Sequence, residues 1–246
     1  MFVDLTMSVH EGMASHPFHG RTPLFLSGTL KHDRLYPSTD RRNPYDGSQL
    51  SFENANFQMC DHTGTHMDAP VHADPEGIGV DEMAIDYGHG DAVWLDLSAH
   101  FDDAAEITAE HLEAAERAGG ETVRDGDILL LWTGWSTVLP DVQRYLYAHM
   151  GLTRDAAEWV RAKGVRTMGI DTCTPETVSG AKTSPVHMNL LRPRSLGGDD
   201  PVIAIVENLV NINQIPVRRF TFSGVPLPLK GLTGSPVRAF AQVPTR

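Results

Sequence analysis

An α/β fold in a single domain is what the sequence predicts, and three observations carry that expectation. Short, continuous apolar runs of strand length recur along the chain. Between them lie segments with a helix-capping residue at the front and glycine at the back. Across 246 residues there is no internal repeat, low-complexity tract or break in composition, so one unit spanning 1–246 is the economical reading.

The elements follow in order. From about His16 to Asn56 the chain is polar and irregular, with Pro17, Pro23, Pro37 and Pro44. It reads as long loops, a lid or interface segment, with one short strand near Leu24-Phe25-Leu26. Ala92–Leu97 reads as a strand. Thr108 can cap a helix through Arg117, stopped by Gly119-Gly120. Ile128–Trp132 is apolar without interruption, as expected of a strand buried on both faces. Thr153 can cap a second helix through Ala162, with Gly164 as its stop, and Val165–Ile170 follows as a strand. Val202–Val206 is another buried strand, and Val237–Val243 alternates enough to close the sheet.

Composition narrows the partners. With 32 acidic against 20 basic residues the formal net charge is −12, which offers no general attraction for phosphate backbones or anionic lipid. Arg41-Arg42 and Arg218-Arg219 are too short to make a local exception. A small molecule is therefore the expected partner, with neither nucleic acid nor membrane. Cys60 and Cys173 are too few for a disulfide framework and read as free thiols. The start lacks a basic segment followed by an apolar run, and no stretch approaches a membrane span, so a cytoplasmic location is expected.

The chemistry concentrates between His62 and His72, in His-Thr-Gly-Thr-His-Met-Asp-Ala-Pro-Val-His. Three imidazoles and a carboxylate, at 62, 66, 68 and 72, are ligands suited to zinc, manganese or iron, with no thiolate among them. Gly64 and Pro70 argue against a helix through the stretch. In an extended segment His66 and Asp68 project to one side, and a bend at Thr63-Gly64 can fold His62 back toward them. Packing alone gives no reason to gather four such groups.

Three groups outside the cluster also look chemical. Asp171 follows the strand at 165–170, and Glu207 follows the one at 202–206. A carboxylate abutting an apolar run must be paired, metal-bound or at a cleft, because burying it alone is costly. His187 lies in the loop region between those strands.

These residues resemble the cyclase family of metal-dependent hydrolases, which includes kynurenine formamidase-like and isatin hydrolase-like enzymes. The family signature, His-x-Gly-Thr/Ala-His-x-Asp-x-Pro-x-His, is matched by His62, Gly64, Thr65, His66, Asp68, Pro70 and His72. The likeness continues through Asp127–Trp135, Gly169–Thr172, His187 with Leu190-Leu191, Val206–Leu209 and Pro228–Arg238. It implies a swivelling β/β/α fold with a mixed sheet, assembled as a homodimer or homotetramer. It implies that His62, His66 and Asp68 bind a first divalent metal, Zn²⁺ or Mn²⁺, with Asp68 able to bridge to a second. His187 and Glu207 would complete the site, one or two ions per subunit, and His72 would be the general acid/base. Where the short formamidases carry a Trp-Pro-Gly-Asp-like segment, this chain has Ser15–Gly20, so His16 and Phe18 are the expected substrate contacts.

The activity so implied is hydrolysis of a small amide, formamide, lactam or lactone. A metal such as zinc lowers the pKa of bound water from 15.7 toward roughly 7, and His72 can take up and return the proton. The alternative is a polyketide-pathway cyclase or dehydratase using the same metal to stabilise an enolate.

Overall fold

Ile128–Trp132 lies at the centre of a nine-stranded mixed sheet, where an uninterrupted apolar run belongs. The computed structural model describes residues 1–16, 24–30, 42–50, 52–198 and 200–244. In chain order the strands are β1 (Phe2–Asp4), β2 (Phe25–Leu30), β3 (Asn54–Gln58), β4 (His66–Asp68), β5 (His89–Asp96), β6 (Glu106–Ile107) and β7 (Ile128–Trp132). They continue with β8 (Gly151–Leu152), β9 (Thr167–Ile170), β10 (Ala204–Glu207), β11 (Arg219–Ser223), β12 (Gly234–Pro236) and β13 (Phe240–Gln242). The helices are α1 (Ala109–Gly119), α2 (Val142–Tyr147), α3 (Arg154–Ala162) and α4 (Pro185–Leu191).

The sheet runs β1-β13-β11-β5-β7-β9-β10-β4-β12, parallel from β5 to β10 and antiparallel outside that block. Alternation along β7 feeds two cores. Leu129 and Leu131 face α1, α3 and α4, while Ile128 and Leu130 join Phe220, Phe222 and Ala241 on the other face. Each such side chain, once buried, contributes about 1.5–3 kcal/mol. The far face is closed because the sheet curls. Thr6, just past β1, bridges to Leu209, just past β10, and Val210 N donates to Leu5 O.

The first helix starts as expected, with Thr108 accepting from His111 N, and passes into Gly120 at φ +70°. Thr153 does precede α3, but its hydroxyl donates to Ile107 O instead of capping. The strand expected at 165–170 begins at Thr167, and the closing strand narrows to β13, with β12 ahead of it. In the front segment, the described residues of 16–56 include β2, antiparallel to β3 after it. Among the described residues no helix is long and apolar enough to cross a membrane.

Candidate metal centre

The site forms where the parallel block gives way to antiparallel pairing. In that register His66 lies opposite Glu207 on β10, and Asp68, two residues on, projects to the same side as His66. Ahead of β4 the chain bends at Gly64, whose φ is +66°, and this returns His62 to the ligand face. The Thr65 hydroxyl holds the bend by donating to Asn208 O at 2.6 Å and accepting from Met7 N at 2.8 Å. Asn208, itself at φ +57°, turns the chain away directly after Glu207.

His187 arrives from the other core. The sequence places it in a loop region, but Pro185 opens α4 and puts His187 in its first turn. Glu176 fixes it there, accepting from Val186 N, from His187 N and from His187 Nδ1, the last at 2.8 Å.

Five expected groups thereby converge. Asp68 Oδ1 lies 2.7 Å from His62 Nδ1 and 3.3 Å from His66 Nε2, and Asp68 Oδ2 lies 3.6 Å from His187 Nε2. Glu207 faces His66 Nε2 at 3.4 Å and His187 Nε2 at 3.5 Å. Two sets of three candidate ligand atoms, each within 4.8 Å, share Asp68: His62, Asp68 and His72, and His66, Asp68 and Glu207. His72, expected to serve only in proton transfer, thus also stands at ligand distance. Its ring opens on the cleft, 4.2 Å from that of His62 between centroids.

The donor set fits a divalent cation. His66 Nδ1 faces Gly64 O at 2.8 Å and must carry the proton, and His187 Nδ1 is likewise committed to Glu176. In a neutral ring Nε2 is then a lone pair aimed at carboxylates. Both Asp68 oxygens and His66 Nε2 are buried without a hydrogen-bond partner. Such groups are costly unless positive charge reaches them. The protonation behaviour shows the same demand. Burial works to lower the pKa of His66, yet Asp68 and Glu207 raise it to about 9, and His187 is lifted well above the usual imidazole range. His72 goes the other way, pushed down to about 4 by desolvation and by the surrounding imidazoles, with Asp68 opposing. Metal-binding histidines are held by outer hydrogen bonds of this kind.

A cavity of about 310 Å³ opens on the cluster, walled by His72, His187 and Glu207 on one side and by Ala73, Ala181 and Met188 among others. Of the two expected substrate contacts, His16 lines the cavity, whereas Phe18 lies outside the described residues. Asp171 takes no part. Its oxygens accept from Thr133 N and Oγ1 at 2.9 and 2.7 Å and from Ser136, and burial raises its pKa in spite of those donors. Asp171 therefore braces the ends of β7 and β9 against each other.

The cavity sits at the mouth of a sheet that known proteins share. The Cyclase family model ("Putative cyclase") matches residues 3–177. The chain belongs to the cyclase family. Within that family it is 31% identical over 189 residues to a kynurenine formamidase of Geobacillus thermodenitrificans, covering 74% of this chain and 76% of the relative. To that of Salinibacter ruber it is 29% identical over 201 residues, covering 82% and 84%. Isatin hydrolase A from Ralstonia solanacearum superposes with a TM-score of 0.80 at 26% identity, over 98% of this chain and 91% of that one.

Sequence reasoning missed Glu176, and also Thr233 and Asp61: the Thr233 hydroxyl lies 2.7 Å from His62 Nε2 and donates to Asp61 Oδ2 at 2.9 Å. Glu176 follows a proline in an unremarked loop, and nothing local marks it as the partner of His187. Gly234 was also missed. A Cβ there would lie 2.8 Å from His62 Cε1 and 2.8 Å from Met67 O, so only glycine lets the imidazole lie against β12. Gly234→Ala should cost about 1–3 kcal/mol, lowering the melting temperature by roughly 2–4 °C per kcal/mol and reducing metal content. Unchanged melting and metal content would show that the ring can step aside.

Proposed function

We propose that this protein is a metal-dependent hydrolase of a small amide, opening an acyl C–N bond of a formamide or lactam. One observation carries the reading: three imidazoles, each with its remote nitrogen hydrogen-bonded, turn their near nitrogens onto two buried carboxylates at the wall of a cavity. The relatives' names agree with it, since a formamidase and an isatin hydrolase both cleave that type of bond.

His62, His66, Asp68, His187 and Glu207 are the proposed ligands of Zn²⁺ or Mn²⁺, one or two ions per subunit. A bound ion there supplies a Lewis acid for the acyl oxygen and lowers the pKa of a water toward neutrality. His72, on the open side of the cluster, takes a proton and returns it to the leaving nitrogen. The cavity's size suits a compact substrate and is at the lower end for small-molecule sites. We further read the chain as one catalytic domain of a cytoplasmic homo-oligomer; the lid expected at 16–56 lies in large part outside the described residues, of which His16 lines the cavity.

The test is a comparison of chelator-stripped and metal-reconstituted protein against formamides, lactams, esters and lactones. Stripped protein should be inactive and melt lower, because an ion at 100 times its Kd adds about 2.7 kcal/mol to the folded state. Zn²⁺ or Mn²⁺ should restore both. Turnover of none of these substrates by fully loaded protein would overturn the reading.

A further inference from the structure

Unlike His66 and His187, His62 presents Nδ1 to the cluster. Its Nε2 faces away, 2.7 Å from Thr233 Oγ1. That hydroxyl has one proton, and it is committed: Thr233 Oγ1 donates to Asp61 Oδ2 at 2.9 Å, and Thr233 N donates to the same oxygen at 3.2 Å. Toward His62 the hydroxyl can therefore only accept, so Nε2 must bear the ring proton. The lone pair of a neutral His62 is then on Nδ1, 2.7 Å from Asp68 Oδ1.

From this we infer that Asp61 and Thr233 are positioning residues for the metal centre. Asp61 acts through the Thr233 hydroxyl to fix His62 in the tautomer that ligates through Nδ1. His66 and His187 are fixed in the opposite tautomer, by Gly64 O and by Glu176. The centre thus takes one imidazole by Nδ1 and two by Nε2. The packing agrees. The His62 ring lies against Gly234, directly after Thr233, so rotating it to present Nε2 would break the bond to Thr233. Outer partners of this kind hold the orientation and basicity of a ligating histidine.

The inference rests on the proposed metal reading, and the experiment separates the two. In Zn²⁺-loaded protein, long-range ¹H–¹⁵N spectra of the imidazoles distinguish Nδ1-bound from Nε2-bound rings. One ligand ring should show metallated Nδ1 with protonated Nε2, and two the reverse. Thr233→Val keeps the shape and removes the acceptor. It should disturb only the first ring and weaken Zn²⁺ binding, measured by chelator competition, by about 10–100-fold, while Thr233→Ser restores both. Zinc bound through Nε2 at every histidine, or an unaltered pattern and affinity in Thr233→Val, overturns the inference and leaves the metal reading standing. Wild-type protein that takes up no metal overturns both. The wild-type spectrum decides the tautomer even if Thr233→Val does not fold.

Discussion

Asp68→Asn should empty the metal centre and silence the protein while leaving the fold in place. Asp68 is the group common to both three-ligand sets, and its oxygens lie 2.7, 3.3 and 3.6 Å from His62, His66 and His187. An amide of the same shape removes the negative charge. It also puts an N–H₂ where a cation needs a lone pair, and that N–H₂ can donate to one of the imidazole nitrogens meant for the cation. The nucleophile and the polarising centre are lost together, so turnover should fall by at least the ~10²–10⁴-fold of a single acid/base group. Metal analysis of purified variant and wild type, beside circular dichroism, checks this. A full metal load and normal turnover in the Asp68→Asn variant would remove Asp68 from the centre.

The second large effect is expected at His72. Its ring stands 4.2 Å from that of His62 and 5.6 Å from that of His187, at the open edge of the cluster, where a substrate in the cavity would meet it. His72→Ala should reduce kcat by about 10²–10⁴-fold and leave metal content intact, because five other ligand groups remain. The place of His72 beside His62 and Asp68 makes the opposite outcome instructive. If the alanine variant loses an ion, His72 is a ligand of that ion, and proton transfer belongs to another group.

Much of this site could be read in the chain because its ligands obey local rules. His66 and Asp68 share a face by strand periodicity, Gly64 supplies the bend, and Glu207 ends an apolar run that cannot bury it alone. The same rule named Asp171, and there it misled. A buried carboxylate can be satisfied by hydroxyls as well as by a cation, and only the fold shows that Thr133 and Ser136 were waiting. Asp61, Thr233 and Glu176 were illegible for other reasons. Asp61 meets Thr233 through pairing between strands distant in sequence, Gly234 opposite Asp68, which no window of residues contains. Glu176, at a separation of 11 from His187, lies outside any strand or helix and has no periodicity to aim it. Helices α2 and α4 have six and seven residues, too few for periodicity to declare them. Strand β3 is exposed along its whole length, so it carries no alternation to read.

Strand β4 has three residues, and its centre, Met67, is fully buried in the apolar interior on the opposite face from His66 and Asp68. Slippage by one residue against β10 and β12 would exchange those faces. A thioether would then stand before the cavity, and an imidazole and a carboxylate would point into hydrocarbon. So short a strand has few hydrogen bonds with which to refuse that misalignment. A cation would accept only one of the two frames, since only one offers it ligands. Burial of Met67 sets the frame, and an ion bound to His66 and Asp68 would add to the preference for it, so the contacts that prepare the chemistry would also reinforce the alignment of the sheet.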